Sequence, residues 1–234
     1  MTRMAIGIAL VLQVVGASSA SRRSTEQGRS EPLRLLPTDE ANSEPALSSV
    51  RAAMLDAVNK HDIDALARNL EPAGWEAFGG IENVRATLGG PTELWDEFKY
   101  VLTHGGAFTT TRGRVRGRRE FCAPYVYGAY PNLPDEALDP SFPWAITGRN
   151  VRVRARPMAT APVIRRLSYD LVQSDGYVGG DASWAVVSLA NGRQGYVARA
   201  YIRSPTDYHA CFAHVSGRWM LVELDRDREP ERDR

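Results

Sequence analysis

Two cysteines and four histidines are the residues of this chain best suited to chemistry, and three of the six crowd into "HACFAH" as His209, Cys211 and His214. Imidazole and thiolate are both good zinc ligands. Geometry decides against a metal, because in a strand residues 209 and 211 share a face while 214 points to the other. The expectation is therefore no metal and no cofactor. A nucleophilic thiolate needs a helix N-terminus or a charged partner to lower its pKa. Cys122 instead lies in extended "EFCAP", and no Cys nucleophile is expected. Glu120, Asp135, Glu136 and Asp139 offer the carboxylates that a glycan hydrolase would use, but an acidic loop of this kind is ordinarily hydrated. The sequence has no G-x-S-x-G elbow and no phosphate-binding Gly-rich loop, and His61 and His104 fall beside helix ends. No catalytic residue is assigned and no enzyme is expected.

The elements that would position these residues begin after a leader. Arg3, the apolar run "AIGIALVLQVVG" and the small residues "ASSAS" have the order of a secretory signal peptide over 1–20, too short for a membrane span. An uncleaved anchor is the other reading. Export to the periplasm or beyond follows from the first, with no stable membrane span after cleavage. Residues 21–44, rich in Ser, Arg, Glu and Pro, read as a flexible linker. In an oxidising compartment Cys122 and Cys211 are either a disulfide closing a long loop or two buried thiols, and both readings stand.

From Pro45, "ALSSVRAAMLDAVNKHDIDALARNL" spaces its apolar residues by three and four around a His-Asp break, which predicts two helices, the first capped by Ser48 or Ser49 and the second by Asp62 or Asp64. A helical piece over Ile81 to Leu88 follows. Another runs from Pro91 to the Gly105-Gly106 stop, with Leu94, Trp95, Phe98, Val101 and Leu102 on one face. The pattern then becomes extended: "AFTTTRGRVRGRREFCAPYVYGAY" predicts strands about a turn near Gly113 to Gly117. A proline-rich loop marks a boundary near 140. Beyond it, Val151 and Val153 alternate with Arg152 and Arg154, so the valines face a core and the arginines face out. Asn191-Gly192 between apolar runs signals a hairpin. Several short strands within about sixty residues describe a small barrel.

The segment "GRNVRVRARPMATAPVIRRLSYDLV", with "WAVVSLANGRQGYVARAYI" after it, resembles a bacterial SH3 domain over 145–204, although Ala155 and Tyr196 depart from the usual pattern. The resemblance implies a mostly non-catalytic module of an exported protein that binds cell-wall peptide or glycan, or packs against a neighbour. "DYHACFAHVSGRWMLVEL" resembles the closing strands of nuclear-transport-factor-2-like domains, whose first helix is similar to "AVNKHDIDALARNL". Taken together these imply an α+β chain. A helical to α+β domain over 45–140 is followed by an SH3-like β-barrel, and a C-terminal hairpin, 206–224, returns to complete the first domain. Cys122 and Cys211 would then share a sheet. Residues 225–234 read as a disordered charged tail.

Charge and aromatics suggest the ligand. Lys+Arg of 29 against Asp+Glu of 28 announces no nucleic-acid partner, and export argues the same way. From Arg112 to Arg166, however, eleven arginines meet four acids, a local charge near +7. Such arginines hold carboxylates or phosphates through planar forked donors, or else are an ordinary solvated face. Among Tyr169, Tyr177, Trp184, Tyr196 and Tyr201, some are expected to line a groove between the 157–162 loop and a loop at "DGYVGGDAS", with Trp184 and Tyr196 rather in the core. The candidate ligand-binding residues are Tyr177, Tyr201, Arg152 and Arg154. The partner is a cell-wall peptide or glycan, or failing that an envelope protein.

Overall fold

The computed structural model describes residues 33–71, 92–110, 119–133, 143–180, 182–189 and 192–225, all within one unit, Pro32–Arg234. The leader, the helix expected at Ile81 to Leu88, the turn at Gly113 to Gly117, the acids Asp135, Glu136 and Asp139, and the tail beyond 225 lie outside the described residues.

Helix α1 (Pro45–Lys60) starts at Pro45 rather than at a serine cap, because proline at the first helical position loses no hydrogen bond and has its φ preset. Ser48 and Ser49 therefore fall inside the helix, where their hydroxyls donate to the Ala41 and Pro45 carbonyls. The helix buries Leu47, Met54, Ala57 and Val58 and stops at His61, which is left-handed with φ 52°. Asp62 caps α2 (Ile63–Ala67), its carboxylate accepting from the Ala65 N–H at 2.8 Å. Helix α3 (Thr92–Thr103) buries Trp95, Phe98, Val101 and Leu102. It stops at Gly105, with φ +64°, where a Cβ would sit 2.1 Å from the Thr38 carbonyl oxygen.

Strands β1 (Ala107–Thr109) and β2 (Glu120–Ala123) pair antiparallel. The extended run expected to continue through 125–128 instead becomes the short helix α4 (Tyr125–Gly128). Pro124 has no N–H to continue a ladder, and its carbonyl accepts from the Tyr127 and Gly128 N–H groups. The chain then builds a second sheet from β3 (Trp144–Ile146), β4 (Val151–Arg154), β5 (Val163–Leu167), β6 (Leu171–Val178), β7 (Trp184–Ser188), β8 (Gln194–Ala198) and β9 (Ile202–Arg203). It returns to the first sheet as the hairpin β10 (His209–Val215) and β11 (Arg218–Asp225). Ser216 and Gly217 turn that hairpin with φ of 48° and 87°, the positive values a two-residue turn favours.

The fold is thus α+β with two antiparallel sheets. The first has the order β1-β2-β10-β11 and the second β5-β4-β8-β7-β6-β3-β9. Strand pairing in the second ends at β5 and β9, and among the described residues no ladder joins those edges into a ring. Phe121, Ala123, Ala210, Phe212 and Leu221 face the helices from one side of the first sheet, where complete burial of a Phe or Leu contributes roughly 2–3 kcal/mol. Val151, Val153, Ala185, Val187 and Val197 fill a separate core within the second sheet.

The linker expected over 21–44 is packed in its second half. Leu35 is buried with Tyr125, Tyr130 and Ala145, and the segment bonds the second sheet through Leu35 N–H to Tyr169 O (2.9 Å) and Leu171 N–H to Leu33 O (2.8 Å). Leu35 is the one leucine of "PLRLLP" buried by this packing, and the backbone bonds fix the strap around it.

Candidate functional site

Sequence alternation places the groove. In β4, Val151 and Val153 point inward while Arg152 is exposed and Arg154 half-buried. In β7, Ala185 and Val187 point inward, which turns Trp184 to the outer face. That outer face carries a groove of about 460 Å³ lined by Arg149, Arg152, Arg154, Ala159, Trp184 and Tyr201, among others. Trp184, expected in the core, is therefore a groove residue, and the period-two parity of "WAVVS" was the signal. Tyr201 is 54% exposed. It is held by the 3-10 turn Arg199–Tyr201, whose Tyr201 carbonyl accepts from the Thr147 N–H at 3.0 Å. Arg154 donates to the Ala161 carbonyl at 2.7 Å and so fastens the 155–162 loop beside the groove. At the back of the sheet Gly195 lets β4 and β8 approach: a Cβ there would meet Val153 Cγ1 at 2.4 Å.

Of the four candidate binding residues the structure gathers Arg152, Arg154 and Tyr201, and leaves Tyr177 elsewhere. Tyr177 lies at the junction of the two sheets. Its hydroxyl donates to Asp207 at 3.1 Å and its ring packs edge-on against Trp144. Burial pushes the Tyr177 phenol far above its ordinary range, the Asp207 carboxylate pushes the same way, and Arg199 and Arg203 pull it back. It is a protonated donor in a polar latch. Arg203 donates to Glu97 of α3 at 2.8 Å and to the Tyr208 carbonyl at 2.9 Å, and lies over the Tyr100 ring. Arg199 reaches Glu97 at 3.3 Å and covers the Tyr177 ring. No short-range pattern signals this cluster, because its members come from α3, β6 and the segment around β9. Tyr169 lies beneath Arg149 instead, 5.9 Å from guanidinium carbon to ring centre, and Tyr196 is half-buried opposite Arg154.

Cys122, Cys211, His209 and Glu120 lie on the far face of the first sheet. Cys122 and Cys211 are directly paired across β2 and β10 and joined by a disulfide of 2.06 Å, both sulfurs fully buried. His209 stacks on Tyr127 with ring centres 3.7 Å apart, and its Nε2 lies 3.7 Å from a Glu223 carboxylate oxygen. His214 is exposed and meets Trp219 edge-on, so the three residues of "HACFAH" do not converge. Glu120, also fully buried, brings a carboxylate oxygen within 4.8 Å of both sulfurs. Bonded to each other, the sulfurs are not thiolates, the form that binds metals or attacks substrates.

Comparison of the chain with protein-family models, curated proteins and solved structures returns no match. No helix among the described residues is long and apolar enough to cross a membrane.

Proposed function

We propose that the protein is exported to the periplasm or beyond and acts without catalysis, its second sheet serving as an SH3-like module that binds a cell-envelope polymer, a peptidoglycan peptide or glycan. The observation that carries this reading is the groove in which Trp184 and the exposed Tyr201 stand beside Arg149, Arg152 and Arg154. Aromatic faces bind sugars and extended peptides with few rotamers to immobilise. Guanidinium groups are planar hydrogen-bond donors with no acceptor, so they suit the groove to holding a ligand rather than to moving protons.

Co-sedimentation of the purified protein with peptidoglycan sacculi at low and moderate salt tests the proposal. Saturable binding that survives moderate salt is expected. Tyr201→Ala, at an exposed position, should weaken that binding about tenfold or more while leaving the circular dichroism spectrum unchanged. Absence of binding at both salts would sink the envelope reading.

A second reading has its own support. The Arg199–Glu97 and Arg203–Glu97 contacts hold the second sheet against α3, the arrangement of a module that packs on its neighbour to present a surface to an envelope protein.

A further inference from the structure

The proposal above leaves the ligand's chemistry open, and the arginines narrow it. Elsewhere in the described chain Arg34, Arg51, Arg119, Arg199 and Arg203 each hold a carboxylate within 4.0 Å. Arg68 and Arg218 are isolated exposed cations, whereas around the groove unpaired arginines cluster. Arg149, Arg152, Arg154, Arg156, Arg165 and Arg166 lie on β4, β5 and the turns beside them, the stretch from Trp144 to Tyr169 contains no acid, and among the described residues none of the six pairs with a carboxylate. Arg152 and Arg166 are direct partners across β4 and β5, and like charges placed opposite one another on a sheet repel. An anion seated between them removes that cost.

Two members of the set are engaged with backbone and thereby orient it. Arg154 is fastened to the Ala161 carbonyl. Arg166 donates to the Asn150 carbonyl at 3.3 Å, which keeps its positive end beside the turn that carries Arg149. Arg149 and Arg152 line the groove itself, next to Trp184 and Tyr201.

Resting on the reading of this groove as the binding site, the geometry points to an oxyanion-bearing extended ligand: Arg149 and Arg152, with Arg166 at the rim, take its carboxylate or phosphate groups while Trp184 and Tyr201 cover its flat or apolar part. Forked guanidinium donors match both kinds of oxyanion. A neutral glycan would leave these repelling charges as they are.

The experiment is isothermal titration calorimetry of the purified protein with three probes: poly-glutamate for carboxylates, linear polyphosphate for phosphates, and a neutral chitin oligosaccharide. The same protein is assayed on sacculi in parallel. Binding of at least one polyanion is expected, and whichever of the two binds tells carboxylate from phosphate as the source. The Arg149→Ala/Arg152→Ala variant should weaken it about tenfold or more. Arg218→Ala, which removes a charge from the exposed β10–β11 turn, should leave it within about twofold. Equal losses in the groove variant and in Arg218→Ala would overturn the site, since the protein would then be binding polyanions by overall charge alone. Sacculus binding without polyanion binding, or a preference for the neutral oligosaccharide, would overturn the oxyanion inference and leave the envelope reading standing. Polyanion binding lost in the groove variant, without any sacculus binding, would do the reverse.

Discussion

Replacing both Cys122 and Cys211 by alanine removes the covalent link between β2 and β10, and the fold sets the size and place of the damage. The two cysteines are 89 residues apart, and the whole second sheet lies between them. If that sheet unfolds together with the first, the loop released is the full one, and the loop-closure entropy the bond removes from the unfolded chain is worth about 4.6 kcal/mol. The second sheet has its own core, however, and its ends are already brought together where Ala145 pairs with Arg203. While it stays folded, the unfolded part of the loop shrinks to on the order of thirty residues and the loss to about 3.7 kcal/mol. That second figure is the expected one, and it should fall on the first sheet alone.

Urea unfolding gives the total, and native-state hydrogen exchange gives the location. Amides of β2 and β10, such as Phe121 and Phe212, should exchange several hundredfold faster in the double variant. Those of Ala185 and Val187 in β7 should hold their protection. A total loss under about 1 kcal/mol, or equal losses in β2 and β7, would refute the reasoning that the bond closes the neck of a separately folding insert.

Two further outcomes follow from the latch between the sheets. Arg203→Met should cost about 2 kcal/mol in urea unfolding, because the Tyr208 carbonyl loses its donor and Glu97 keeps only the longer contact to Arg199 at 3.3 Å; Arg218→Met, on the exposed turn, should cost under about 0.5 kcal/mol. Burial raises the phenols of Tyr100, Tyr125 and Tyr177 above their ordinary value of 10.0. The folded chain therefore keeps protons that the unfolded chain releases, so stability is intact well below pH 10 and falls as pH rises through it, the slope for a strongly raised phenol climbing toward about 1.4 kcal/mol per pH unit. Urea midpoints between pH 9 and 11 should show that fall, and Tyr177→Phe should flatten it by one tyrosine's share; an unchanged slope would place the phenol's ionisation outside the latch.

The helical faces and the alternation of β4 were legible because both depend on neighbours two to four residues away. Leu47, Met54 and Val58 repeat along α1, and Trp95, Phe98 and Leu102 along α3, each burying the side its spacing marks. The same rule applied to "WAVVS" turns Trp184 outward, whereas the strap, which composition made a linker, is held by a single buried leucine, Leu35, and by backbone bonds. Tyr125–Gly128 was misleading for the opposite reason: aromatic and β-branched residues suit a strand, but the proline before them ends the ladder.

The valines and arginines of "VRVR" and the helix spacings were enough to place an inward and an outward face on α1, α3 and β4, because strand and helix geometry is set within a few residues. They carried the groove's Arg152, Arg154 and Tyr201 as candidates, together with a stretch from Arg112 to Arg166 in which eleven arginines outnumber four acids. Which candidates meet was decided only in the folded chain. Tyr177 shares its sheet with Arg152 and Arg154 yet serves the junction with α3, and Cys122 meets Cys211 only because β2 and β10 lie side by side across an intervening sheet. Those encounters depend on which faces pack against which, and that is settled by burial summed over residues far apart in sequence, a quantity no local spacing contains.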